Sequence, residues 1–562
     1  MEVVSHNRPF DFRLGSPIKP ISLLTIIASI YQVIIGIQSA TIFISFLLNF
    51  HIGKPRQHMK KGKQDIASMD TTEAATQIKV IQSVLVHNKI TVICSLDKEA
   101  FTFTDNKRTG SIRYDAMFAV HKKQDHPNTF VIYAVDLKKE LRLIQEYVCP
   151  TSEQCDTWVF ELKCKIFKVS SKSADTSALF KERKVLVIIN PNSGRKLANS
   201  YFAKHVKPIL DHAHLKYTIF KTEYANHAFD YCKSLPLGAF DEIVTMGGDG
   251  VLYEAINGIM SRPDWREVSA KIRFGVIPAG TGNGLATVTG AIPNISHAST
   301  PQRAAFIVAR GFYSPLDLMS VYQKDKRAFS FLSITWAAIA DVDLGTENLR
   351  WMGGARNLVG AVKSILKQKY YRGKIQYIEA DEYNRPSQER ISPFTHRKDT
   401  TTPTSNKPEA PACHLLTQHL SEEFKSHCPK QFAIQKSFEV SQQASIPAQV
   451  KTIEDDFFLF IVSNITHLSY DFVASPAAHM HDGAVDLVMM RKKMKRAEML
   501  KLFTDTETGK HVESDSVEVR KIRAFAFYPI EDGSYVAIDG EKLDYAPVFC
   551  EVHQGLINMM TY

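Results

Sequence analysis

The sequence predicts an α/β fold, on three observations. Three apolar, β-branched runs each end in a turn rich in glycine or amide donors. One of those turns sets a carboxylate among glycines and then leads into an amphipathic helix. Turns at successive strand ends can converge on one ligand, because an open α/β sheet binds at the carboxyl ends of its parallel strands.

The first run is Lys184 to Ile189, which is followed by Asn190-Pro191-Asn192-Ser193-Gly194-Arg195-Lys196. That turn offers amide, hydroxyl and guanidinium donors. The second, Asp241 to Met246, enters Gly247-Gly248-Asp249-Gly250. Its helix is expected over Val251 to Met260, with Val251, Leu252, Ala255, Ile256 and Ile259 on one face. The third, Arg273 to Ile277, leads into Pro278-Ala279-Gly280-Thr281-Gly282-Asn283-Gly284. Glycine permits close backbone approach, and a helix N-terminus attracts anions, so a phosphate-bearing ligand can lie against the main chain. The spacing excludes the P-loop, and Thr287 stands where a dinucleotide fingerprint needs glycine. Protein-kinase signatures are also absent as a set.

These residues resemble the lipid kinases with a diacylglycerol-kinase-type catalytic fold, and among them the sphingosine kinases most closely. The resemblance covers about residues 183–378 and 452–562. It is carried by Asn190-Pro191-x-x-Gly194, Thr222-Glu223 with Asn226-His227-Ala228, Gly248-Asp249-Gly250, Pro278 to Asn283, Ile339 to Asp343, and Asp539-Gly540-Glu541. It implies a nucleotide-binding α/β domain (180–316) followed by a largely antiparallel β domain that holds the lipid (317–380 and 451–562). ATP and Mg²⁺ would sit in the cleft between them. Asn192 and Ser193 depart from the more glycine- or arginine-rich first loop of many members.

The resemblance also assigns roles. Phosphoryl transfer needs positioning, charge stabilisation and one group to take the hydroxyl proton, and Asp249 is expected as that base. Asn190, Asn192, Thr222, Gly247, Gly248, Gly250, Gly280, Thr281, Gly282, Asn283, Arg350, Arg356, Asp539 and Glu541 are expected at the nucleotide. Arg195 and Lys196 would meet phosphate or the membrane surface. Asp343 would pair with the ammonium of a sphingoid base, with Asp341, Ile339 and Val342 beside it. Taken without the resemblance, Asp341 and Asp343 read more readily as the end of a strand. No dedicated metal site is assigned. Ceramide and diacylglycerol kinases, whose substrates lack the free amine, are the alternative, and a catalytically dead lipid sensor is a third reading. The eight cysteines contain no Cys-x-x-Cys pair, which argues against zinc modules and suits a reducing compartment.

The remaining segments follow from composition. At 562 residues, 44% hydrophobic and 23% charged, the chain can build two or three cores. A net charge of +10 suits an anionic membrane surface or phosphate ligands. Nucleic acid is disfavoured, because the basic residues are dispersed and lack interleaved aromatics. After a short tail (1–20), residues 21–50 hold no charged side chain and are long enough to span a bilayer. A re-entrant hairpin near Gly36, or an extension upstream of a start at Met69, are the alternatives. The basic linker 51–76 would put the kinase on the cytoplasmic side, associated with membrane. Short strands and a closing helix with Trp158 over 77–170 resemble a pleckstrin-homology-like module, expected chiefly to pack on the kinase. Seven prolines among polar residues mark 381–450 as a flexible, disordered insertion. Leu358 to Lys369 is expected as an amphipathic helix with a basic opposite face, first as a plain packed helix and alternatively as a gate for lipid entry, and a homodimer is a further expectation.

Overall fold

The computed structural model describes residues 82–136, 141–171, 176–290, 301–346, 355–380, 420–429 and 450–562. The expectations for 1–20, 21–50 and 51–76, for Arg350 and for most of 381–450 fall outside these residues. Among the described residues no helix is long and apolar enough to cross a membrane.

Seven strands open the described chain: β1 (Gln82–His87), β2 (Ile90–Leu96), β3 (Ala100–Thr104), β4 (Thr109–Arg113), β5 (Met117–Lys122), β6 (Thr129–Asp136) and β7 (Leu141–Val148). They form one antiparallel sheet in the order β4-β3-β2-β1-β7-β6-β5. The sequence reading did not include β4 or β5. Thr-Gly-Ser-Ile-Arg in β4 has a single apolar residue, while Met117 to Val120 in β5 is buried throughout and shows no alternation to read. The Ser152–Phe167 helix covers the sheet, with Thr151 as its N-cap and Trp158 fully buried against Phe101 and Phe130. The module packs on the Pro301–Arg310 helix. Arg310 donates to the carbonyls of Asp115 and Ile166, and Phe118 meets Phe306 edge-on.

The next region begins with a parallel sheet of β8 (Lys184–Ile189), β9 (Lys216–Lys221), β10 (Glu242–Gly247) and β11 (Arg273–Pro278). Its order is β9-β8-β10-β11. The chain turns to one side after β8 and to the other to place β10, so the carboxyl ends of β8 and β10 flank the switch point. The first two glycine-bearing turns therefore leave the sheet side by side, and the third leaves the next strand along.

The second half is antiparallel. It contains β12 (Tyr313–Gln323), β13 (Lys326–Ser330), β14 (Ser333–Ala337), β15 (Tyr371–Glu379), β16 (Val450–Phe457), β17 (Leu459–Ser463), a small ribbon of β18 (His467–Ser469) and β19 (Phe472–Val473), then β20 (Val485–Met490), β21 (Glu518–Pro529), β22 (Val536–Ile538), β23 (Glu541–Leu543) and β24 (Val548–Met560). β24 joins the halves. It runs antiparallel to β12 and β21 along most of its length, and Asn558 and Met559 pair parallel with Arg273 and Phe274 of β11. Main-chain hydrogen bonds thus continue from the parallel sheet into the antiparallel half. Within the expected insertion, Glu422–His427 is helical, and Phe424 is buried against Tyr528 and Phe549.

At the foot of the parallel sheet, Glu242 is fully buried between two cations. Arg183 donates to both of its oxygens at 2.8 Å, and Arg273 approaches Oε1 at 2.8 Å. Arg183 spends further donors on the carbonyls of Val308 and Ala309, tying β8 and β10 to the helix that carries the N-terminal module. Removing one partner of a buried ionic cluster strands the others. Glu242→Ala is expected to cost about 3–5 kcal/mol in chemical denaturation. A loss below about 1 kcal/mol, the size of an exposed pair, would remove this cluster from the account of stability.

Candidate active site

Three loops are drawn together by residues that cannot carry a side chain. A Cβ on Gly280 would lie 2.5 Å from the Gly248 Cα and 2.8 Å from its nitrogen, so the second and third loops touch backbone to backbone. A Cβ on Gly194 would meet the Ala279 carbonyl at 2.7 Å, and its φ of +52° is costly for other residues. One on Gly247 would strike Ser193 Oγ at 2.9 Å. Main-chain bonds complete the junction: Ala279 and Gly280 both donate to the Gly247 carbonyl, and Asn190 donates to that of Met246.

Asp249 is the first residue of the Asp249–Met260 helix, which begins two residues earlier than expected, with extended Gly248 as its N-cap. Its Oδ2 accepts the Gly284 N–H at 2.7 Å. The residue keeps some contact with solvent, but its carboxylate lies among the loops. That burial pushes the acid up to about 6, against the lowering pull of the Gly284, Leu285 and Asn283 N–H groups. A carboxylate so tuned is ionised at neutral pH and still basic enough to share a proton.

The other expected nucleotide residues divide by place. Asn190 turns its side chain back to cap Asn192 N at 3.0 Å, and Asn192 itself is exposed. Thr222, at the end of β9, is buried and donates its N–H to Ile189. Asn283 takes a left-handed conformation, φ +57°, and its amide donates to the Gly280 carbonyl at 2.9 Å, while Thr281 is exposed at the rim. Gly282 leaves Asp249 Oδ2 3.7 Å from where its Cβ would be. Arg195 and Lys196 are exposed. Arg356 is helical, with its side chain outside the described residues.

The Asp539-Gly540-Glu541 turn closes the site from the β domain. Both oxygens of buried Asp539 are taken by the Ser330 hydroxyl and the N–H groups of Phe331, Leu332 and Ser333, so it shapes the β13–β14 connection. Glu541 reaches the residue after Asp249: its Oε1 would lie 3.3 Å from a Cβ on Gly250. Asp343 Oδ2 would lie 3.5 Å from one on Gly540. Asp249-Gly250, Glu541-Gly540 and Asp343 thus follow one another across the cleft.

Ile339, Asp341, Val342 and Asp343 lie on the short Ala338–Asp343 helix, so the two acids do not end a strand. Ile339 and Val342 help line an apolar cavity of about 30 Å³ with Ala361, Ile365, Phe458, Met490 and Leu502. Asp341 faces elsewhere, accepting from Tyr371 and Ser534. Sequence reasoning missed these two, and also Glu254, which accepts the Ala228 N–H at 3.1 Å and ties the base-bearing helix to the Thr222 loop. No spacing marks them, since each partner is distant in the chain or belongs to an ordinary helix face.

A model of the diacylglycerol kinase catalytic domain matches residues 184–321, which contain all three loops and Asp249. A model of the YegS C-terminal NAD kinase beta sandwich-like domain matches residues 434–561. The chain carries a diacylglycerol-kinase-type catalytic domain and is a lipid kinase. This lipid kinase is 27% identical to human sphingosine kinase 2 over 67% of its own length and 71% of that protein. It is 28% identical to human sphingosine kinase 1, over 67% of this chain and 91% of the relative. A sphingoid long chain base kinase of Schizosaccharomyces pombe is 28% identical over 66% of this chain and 73% of that protein. Enzymes of this class draw the transferred phosphoryl group from ATP.

Three expectations test the site. Because the Asp249 proton is held more tightly in the folded protein, the basic form is lost as pH falls through about 6. The acid limb of kcat/KM should therefore have its midpoint there, and a profile flat down to about pH 5 would contradict it. Asp249→Asn should lower kcat by at least about 10²-fold while raising Tm slightly at neutral pH, because ionising a carboxyl whose pKa is raised on folding destabilises the native state. Gly280→Ala, by forcing the second and third loops apart, should abolish ATP protection in thermal shift; wild-type protection would show that the contact is dispensable.

Proposed function

We propose that this lipid kinase transfers the γ-phosphoryl group of ATP to the primary hydroxyl of a sphingoid base, giving the 1-phosphate. The observation that carries the reading is the placement of Asp343, across the Gly540 turn from the base and on the same short helix as the apolar cavity. A cationic lipid head needs an anionic partner next to a dry channel, and the names of the relatives point to the same substrate class.

In this reading Asp249 takes the hydroxyl proton, and the Gly247–Gly250 and Gly280–Asn283 main chain lies along the phosphates with Asn190, Asn192 and Thr222 nearby. Among the described residues no group of three His, Cys, Asp or Glu side chains is arranged to hold a metal. Mg²⁺ would arrive with the nucleotide, since this ion is usually bound by one or two carboxylates plus phosphate oxygens. Glu541 is the carboxylate that would meet it, and the ion would neutralise charge on the transferring phosphoryl group. The cavity is too slim for a long chain. Admission of the substrate requires the Ala355–Lys367 and Arg496–Asp505 helices, which supply Ala361, Ile365 and Leu502 to its wall, to part. The N-terminal module, pleckstrin-homology-like in its strands-then-helix order, serves as a packing partner.

Asp343→Asn is the deciding experiment. With sphingosine, kcat/KM should fall by about 10–100-fold, the cost of losing a charge-assisted bond. With ceramide or diacylglycerol it should change little. Equal effects on amine-bearing and amine-free lipids would remove Asp343 from substrate choice and favour the ceramide or diacylglycerol reading.

A further inference from the structure

The Ala338–Asp343 helix is six residues long, far below the length at which a helix supports itself. It starts from Ala337, which is held at φ +61° and ψ −137°, a strained conformation for a residue with a Cβ. Its rotational setting must therefore come from outside. Ala338 N donates to the Phe458 carbonyl at 3.0 Å, fixing one end. Ile339 and Val342 face the apolar cavity, and apolar contacts have no direction with which to set an angle.

Two side-chain hydrogen bonds from distant parts of the chain meet on Asp341. Tyr371, the first residue of β15, donates its hydroxyl to Oδ2 at 2.6 Å, and Ser534 donates to Oδ1 at 2.7 Å. Burial and the neighbouring carboxylate hold the Tyr371 phenol above its usual value, so it stays a donor. Ser534 lies two residues before β22, whose end is the Asp539-Gly540-Glu541 turn. One carboxylate thus links the short helix to β15 and to the segment that carries Glu541.

We propose that Tyr371 and Ser534 are positioning residues that clamp Asp341, and so hold Asp343 at the angle and height at which it receives the lipid amine. This rests on the sphingoid-base reading. Asp341 then acts as the socket of the clamp, with both oxygens engaged, and the substrate charge falls to Asp343 alone.

The test compares Tyr371→Phe, Ser534→Ala, their double variant and Asp341→Asn with Asp343→Asn, using sphingosine and diacylglycerol as acceptors. The clamp variants should raise KM for sphingosine about tenfold while kcat and the KM for ATP stay within about twofold. Ser534→Thr, which keeps the hydroxyl, should restore KM. Tyr371→Phe placed on Asp341→Asn should add little, because the two share one interaction. If Asp343→Asn is crippled and the clamp variants keep wild-type KM, the clamp is wrong and the substrate reading stands. If Asp343→Asn is unaffected with sphingosine, the substrate reading fails and the clamp falls with it. Equal losses with both acceptors, together with a lowered Tm, would reduce the residues to ordinary structural ones and overturn the proposal.

Discussion

The active site depends on the contact of one glycine with another. Gly280 sits against Gly248 so closely that a single methyl group would occupy backbone space. That approach brings the loops after β10 and β11 within hydrogen-bond reach and presents Gly284 N–H to Asp249. The same crowding buries the carboxylate. A helix N-terminus and three amide donors lower its proton affinity, desolvation raises it, and desolvation wins. The raised proton affinity of Asp249 is thus a result of packing between turns.

A second constraint joins the antiparallel half to the parallel half. β24, the last strand, is hydrogen-bonded to β11 at its end and to β12 and β21 before that. Because the sheet is continuous, the turn bearing Gly540 and Glu541 is held in a fixed relation to the loop bearing Asp249. Catalysis by positioning requires reacting groups to be held to a fraction of an ångström, and a shared sheet meets that requirement better than a flexible linker would.

Much of the nucleotide half was legible in the sequence. β8 has the expected bounds, Lys184–Ile189, because a fully buried parallel strand reads as an unbroken apolar run that stops at a polar turn. The helix after β10 was legible from its apolar face, though its start at Asp249 was not, since the first turn is set by backbone geometry. β4 and β5 went unseen for the opposite reasons of too little apolar content and too little alternation. The Asp341 partners had no signature at all: Tyr371 and Ser534 lie 30 and 193 residues away in the chain. The helical segment around Phe424 was hidden among prolines and polar residues, because one buried aromatic leaves little trace in composition.

The sequence by itself determined the chemistry available: which turns lack side chains, where carboxylates stand beside them, and that strand, turn and helix follow in that order. These are local properties, written in composition and in periods of two or 3.6 residues. Only the tertiary structure decided which carboxylate does what. Asp249, Asp341, Asp343, Asp539 and Glu541 are alike as residues, yet Asp539 is spent on the β13–β14 turn and Asp341 on Tyr371 and Ser534. Glu541 and Asp343 lie at the cleft, and Asp249 sits among the loops. The difference is set by long-range hydrogen bonds and burial, because a carboxylate's role follows from the donors that surround it, and the fold supplies those from distant parts of the chain.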